Sequence, residues 1–178
     1  KWGFIDPKGK AIIPARYESS GDFYEGYAAL KQNGKWGFVN KKGELLIEFK
    51  YQKTGHFGEG LCPIAMDDKW GYIDKNGKVA ISYTFDKALA FSSGLAAVKQ
   101  GGKWGYIDKE GAFVVKPILE EAYPYEDGLA RVGIIQNGSL RYGYLGKLPS
   151  QKSRSTTKQS PQTIYKDPSI DTYPPNDL

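Results

Sequence analysis

Along residues 1–146, apolar side chains alternate with polar ones in short runs, and each run stops near glycine, asparagine or aspartate. A period of two broken by turn formers predicts strands joined by hairpins rather than helices. The runs also recur in register. Ala11-Ile12-Ile13, Leu45-Leu46-Ile47, Val79-Ala80-Ile81 and Phe113-Val114-Val115 form one set. Ala28-Ala29-Leu30, Pro63-Ile64-Ala65, Ala96-Ala97-Val98 and Ala130-Arg131-Val132 form a second. Between them stands a third, Lys-Trp-Gly-aromatic, which places Trp2, Trp36, Trp70 and Trp104 34 residues apart. A fixed period of this size marks a tandem array, whose units close a core by stacking on their neighbours.

The turns follow the same period. Asp6-Pro7-Lys8-Gly9, Asn40-Lys41-Lys42-Gly43, Asp74-Lys75-Asn76-Gly77 and Asp108-Lys109-Glu110-Gly111 come directly after the Trp runs. Asp or Asn first, proline tolerated second and glycine last is the pattern of a type I turn closed by a left-handed glycine bulge. Gly9, Gly43, Gly77 and Gly111 supply the positive φ. Before the Trp runs, Asn33-Gly34, Gly101-Gly102 and Asn137-Gly138 predict two-residue hairpins, with Asp67-Asp68 in the same place. Each unit therefore reads as a three-stranded antiparallel meander with the Trp-Gly strand in the middle.

Gly3, Gly37, Gly71 and Gly105 sit between two aromatics of that strand, on its opposite face, and are expected to let a neighbouring ring approach the backbone. The longer connection between units carries Phe23, Phe57, Phe91 and Tyr125, each three residues ahead of a glycine. These rings read as pegs pinning the connection to the core. The four indoles are expected to be interior, filling the space between successive sheets.

The array is expected over 1–146, with units at about 1–34, 35–68, 69–102 and 103–140 and a partial fifth copy at 141–146. That copy opens on Arg141-Tyr142-Gly143-Tyr144 after an insertion and loses the turn at Gly146-Lys147-Leu148-Pro149, as an end cap or decayed copy would. Propeller blades usually carry four strands, so three per unit favour an open twisted array or partial propeller over a closed ring. From 147 to 178 the chain is polar, Ser/Thr-rich and punctuated by proline, with too little apolar surface to offset ordering entropy; a disordered tail is expected. Lys1 stands directly on the first motif without a leader, as a fragment or processed product would, which leaves cytoplasmic and secreted settings open.

Composition adds mostly exclusions. A net charge of +5, with lysines and acids interspersed, points to solubility and disfavours a nucleic-acid protein. Cys62 is the single cysteine, so there is neither a disulfide framework nor a CxxC metal site; it falls on an alanine column and reads as a small buried residue. No apolar run reaches the ~18 residues a membrane-spanning helix needs. His56, the one histidine, lies in a connection without counterparts in other units and reads as a surface residue. There is no GxSxG, HExxH or phosphate loop. The Asp/Asn column gives each turn too few oxygen ligands for calcium. No catalytic, cofactor-binding or metal-binding residue is assigned, and an enzyme is not expected.

The succession aromatic-Gly-basic-Trp-Gly-aromatic-Ile-Asp-x-x-Gly, an apolar strand, then Phe-x-x-Gly-Leu-Ala, runs from residue 1 to about 146. It is clearest in Gly94-Leu95-Ala96-Ala97-Val98 leading into Lys103-Trp104-Gly105-Tyr106-Ile107-Asp108-Lys109-Glu110-Gly111. In these columns the chain resembles the WG-repeat (KWG) family, common in bacterial proteins. The resemblance implies an all-β repeat protein with a binding or scaffolding role, and it carries over no catalytic residues. Departures are local: Asn40 replaces Asp, and Cys62-Pro63 replaces alanines, the proline predicting an edge strand. Two function classes follow. A protein–protein interaction scaffold is the first, with a protein partner expected. The alternative is a carbohydrate or cell-envelope binding module that stacks sugars on repeated aromatics. Tryptophan faces exposed in a row would favour the second; buried ones would favour the first.

Overall fold

The computed structural model describes residues 1–146; the tail expected over 147–178 lies outside the described residues. Every element is a strand, and the strands form five antiparallel sheets in chain order. The first sheet pairs β1 (Trp2–Ile5) with β2 (Ala11–Tyr17). The second is β3 (Ser19–Tyr24), β4 (Tyr27–Gln32), β5 (Lys35–Val39) and β6 (Leu45–Tyr51). The third is β7 (Lys53–Thr54), β8 (Cys62–Met66), β9 (Lys69–Ile73) and β10 (Val79–Phe85). The fourth is β11 (Lys87–Ala88), β12 (Ala96–Gln100), β13 (Lys103–Ile107) and β14 (Phe113–Leu119). The fifth is β15 (Glu121–Ala122), β16 (Leu129–Gln136) and β17 (Ser139–Gly146). No sheet closes into a barrel, and the main contacts between sheets join successive ones, so the array is open.

The three strands foreseen for a unit are present in the second, third and fourth sheets, where the connection adds a fourth at the edge, β3, β7 or β11; the first sheet holds two strands, and in the fifth β15 is the third. One residue separates each outer strand from this addition, as Gln52 does between β6 and β7. Sequence period and sheet are therefore out of phase. Each complete sheet takes two strands from one period and two from the next.

Local chemistry explains the turns. Gly9 donates to the Asp6 carbonyl at 2.9 Å, and Asp6 Oδ1 accepts from the amides of Lys8 and Lys10 at 2.9 and 2.8 Å. Asn40, Asp74 and Asp108 repeat the arrangement through one side-chain oxygen each. An amide oxygen accepts as a carboxylate does, which is why Asn40 serves. Asn33 and Gly34, at φ 50° and 74°, form a two-residue turn with positive φ at both positions. The connections hold a second set of such turns, among them Glu25-Gly26 at 49° and 88° and Glu59-Gly60 at 51° and 89°.

The glycine of the Trp strand has a stricter cause than a nearby ring. A Cβ on Gly71 would lie 2.7 Å from the Tyr83 ring and 2.8 Å from the Ser82 carbonyl carbon, and on Gly37 it would lie 2.7 Å from the Ile47 carbonyl oxygen. In β10, Ile81 opposes Tyr72 and Phe85 opposes Trp70, so the bulged segment 82–84 folds over the glycine. The proline expectation is corrected as well. Pro63 lies in β8, between β7 and β9. It opposes Tyr72, one of the pairs whose amides face away from β9, while β7 pairs with Ile64 and Ala65 alone, so the missing N–H breaks no ladder. In the fifth sheet the insertion adds two pairs to the hairpin, Ile135 with Leu140 and Gln136 with Ser139.

Between sheets, the interior is periodic. Phe4 meets Phe23, Phe38 meets Phe57, Tyr72 meets Phe91 and Tyr106 meets Tyr125, with ring centroids 4.8 to 5.2 Å apart. Tyr17, Tyr51, Phe85 and Leu119 close the same cores from the ends of the outer strands. Cys62 is fully buried among them, and burial pushes its thiol pKa up to about 12. At one end of the sheets Glu25 accepts from Gly60 N–H at 3.0 Å and pairs with Lys75 at 3.1 Å; Glu59 does the same with Gly94 and Lys109. At the other end, crossover acids hold the hairpins. Glu18 accepts from Gly34 at 3.1 Å, Asp86 pairs with Lys69 at 2.7 Å, and Glu120 pairs with Lys103. The lysines of the third and fourth Trp motifs, Lys69 and Lys103, thus have structural partners.

Truncating Tyr72, which has no exposed surface, to alanine should cost about 3–5 kcal/mol in urea titration. Trp70→Ala should cost less, and Trp2→Ala should leave the midpoint nearly unchanged. Glu25 gives a second expectation. Desolvation raises its pKa, but the Lys75 contact and the Gly60 amide outweigh it and leave the carboxyl below its ordinary 4.5. A depressed pKa contributes stability that is present above the unfolded value and lost as pH falls through the folded one. The melting temperature of Glu25→Gln should therefore fall less on acidification through that window than that of the parent chain.

Candidate binding site

The indoles are not the interior. Trp2 is 57% exposed, and Trp36, Trp70 and Trp104 are half-buried at the margins of the cores. The expected filling role falls instead to the next aromatic of the strand, Phe38, Tyr72 or Tyr106. It shares that role with Phe57, Phe91 and Tyr125, all buried, while Phe23 is half-buried. The alternation of side chains placed Trp on the inward face correctly, but a ring opposite the end of the outer strand meets less cover than one two residues deeper.

Two features remain that the scaffold does not require. The first is a cleft of about 190 Å³ between the second and third sheets. Tyr24, Tyr27, Trp36 and Phe38 line it from the second sheet, and Thr54, Gly55 and His56 from the third. Gly21 and Ala29 leave it open, and Asp22 stands at its side. The two junctions that follow are tied by a hydrogen bond at this place. Tyr72 donates its hydroxyl to the Leu89 carbonyl at 2.7 Å, and Tyr106 donates to the Tyr123 carbonyl at 2.7 Å. Phe38 has no hydroxyl to give, and Gly55 stands where those junctions have Leu89 and Tyr123.

The lining also departs from the repeat. Tyr24 corresponds to Gly58, Ser92 and Glu126, and Tyr27 to Leu61, Leu95 and Leu129. Asp22 and His56 share a column with Ala90 and Pro124. Residues that depart from their columns therefore converge in one place. The Tyr24 and His56 rings stack with centroids 4.0 Å apart, and burial holds the His56 pKa below its ordinary 6.5. Tyr27 donates to the Lys75 carbonyl at 3.2 Å, with the Lys75 ammonium 5.8 Å from its ring centre.

The second feature lies on the outer strands. Ile12, Leu45, Leu46 and Val79 are 43%, 48%, 40% and 46% exposed. They fall in two neighbouring columns near the start of β2, β6 and β10, Ile12 with Leu46 and Leu45 with Val79, so aliphatic side chains recur between adjacent outer strands.

Sequence reading singled out the repeat positions and passed over Tyr24, Tyr27 and Asp22. The signal that would have found them is the mismatch of these residues with their own columns.

Out-of-phase four-stranded sheets, glycine-crossed Trp strands and Asx turns at one period define a β-repeat module. The model of the WG containing repeat matches residues 2–36, 36–70, 70–104 and 104–134, and the chain belongs to that family. No curated protein and no solved structure matches it.

His56 gives the expectation for this site. Its NMR titration midpoint should lie below 6.5. The unfolded chain then binds the proton more tightly, so acid costs stability through this range. Tyr24→Ser should move the midpoint upward by exposing the ring; no movement would remove the stacking contact as its cause.

Proposed function

We propose that the array is a non-catalytic scaffold that binds a protein partner along its outer strands. The observation that carries the reading is a pair of neighbouring columns of exposed aliphatic side chains on successive outer strands, Ile12 with Leu46 and Leu45 with Val79. Exposed aliphatic groups gain by burial against another protein surface and offer no ring face to a sugar. Recurrence between neighbouring units gives an extended contact of the kind repeat arrays use. The carbohydrate alternative draws on a row of exposed indoles, and three of the four are half-buried.

The test captures partners with the full chain and with Leu46→Asp/Val79→Asp, after checking that both melt alike. Proteins retained by the parent and lost from the double variant, with a tenfold or greater drop in affinity for any one of them, are the expected result. Retention undiminished by the double variant would refute the strip, and capture competed by free glycans would transfer the function to carbohydrate.

A further inference from the structure

We propose that the cleft between the second and third sheets receives an arginine side chain from a protein partner, its guanidinium stacked on Trp36 and paired with Asp22. The molecule holds its own precedent. In the fifth sheet Arg131 occupies the place of Ala29: it opposes Tyr144 in the ladder, as Ala29 opposes Phe38. Tyr142 stands in the tryptophan column, and Tyr123 stands where Gly21 does. The Arg131 guanidinium carbon lies 4.2 Å from the Tyr142 ring centre and 5.3 Å from that of Tyr123. The Tyr123 and Tyr142 hydroxyls both donate to Glu121, at 3.0 and 3.1 Å, which fixes the two rings around the cation. The second sheet keeps one ring of this platform, Trp36 in the Tyr142 column, and replaces the arginine with Ala29 and the second ring with Gly21, which leaves the space open.

Charge and shape agree with that reading. The chain carries 25 Lys and Arg, yet none lines the cleft, and Asp22 is its one acid. His56, desolvated against Tyr24, adds no positive charge near neutral pH. A planar, weakly hydrated guanidinium stacks on aromatic faces while its edge meets a carboxylate; an ammonium, compact and strongly hydrated, does this less well. About 190 Å³ admits one side-chain head and excludes a folded segment. The proposal rests on the scaffold reading for the source of the arginine alone, and the cleft is tested without reference to the outer strands.

The experiment titrates N-acetyl-arginine methylamide into the 15N-labelled full chain and follows the indole N–H signals, with N-acetyl-lysine methylamide and N-acetylglucosamine as comparisons. A saturable shift at Trp36, absent at Trp70 and Trp104 and several-fold tighter for the arginine probe, is expected. Asp22→Ala and Tyr24→Ser install residues that the fourth sheet already carries at Ala90 and Ser92, so the fold should tolerate them. Each should weaken the probe by several-fold to about tenfold, the range for a partly desolvated cation on a ring. Ala29→Arg, copying Arg131, should fill the cleft and abolish the response. No saturable shift at Trp36, an equal shift at all three indoles, or a preference for the sugar would overturn the proposal. Capture through Leu46 and Val79 would stand or fall separately.

Discussion

Each junction between sheets turns on one pair of rings. Phe4–Phe23, Phe38–Phe57, Tyr72–Phe91 and Tyr106–Tyr125 join the Trp strand of one sheet to the connection of the next. Tilted or edge-on pairs of this kind add to the burial of two large side chains, which makes them the strongest periodic contact available here. Their depth also sets the limit on what surrounds them. The indoles sit nearer the margin because the ring pairs already fill the centre, and Phe38, like Phe4, makes no hydrogen bond of the kind Tyr72 and Tyr106 give to the next backbone; beside Phe38 lies a cleft.

That cleft joins the packing to the proposed binding. Tyr72 and Tyr106 each tie down a carbonyl of the following sheet, and burial raises the pKa of both hydroxyls, keeping them as neutral donors. At Phe38 and Gly55 both the hydroxyl and the larger side chain of the later junctions are absent, and a cleft lined by rings lies there. The scaffold beyond it is unchanged, since Phe38 still meets Phe57.

What the sequence made legible was chemistry acting within a few residues. The Asx turns, the positive-φ glycines and the three main strands are local, and the columns show them directly. Two things were less visible. The two-residue strands β7, β11 and β15 have no apolar pattern of their own; they exist because β8, β12 and β16 present a ladder for them to join. The depth of Trp36 could not be taken from alternation, which assigns a face and says nothing of how far the neighbouring sheet extends over it. The cleft residues were visible as mismatches, but their convergence needed the contact between Tyr24 and His56, 32 positions apart in the chain.

The phase offset between period and sheet bears on how such a chain can lengthen or shorten. A cut at one Trp-Gly motif, rejoined at the next, would unite β3 and β4 with β9 and β10, and the composite would again hold four strands in the usual order. Duplication or loss of a whole period thus restores a finished sheet at the splice and leaves no unpaired edge inside the array. Recombination between copies can change the number of units without first passing through a broken one.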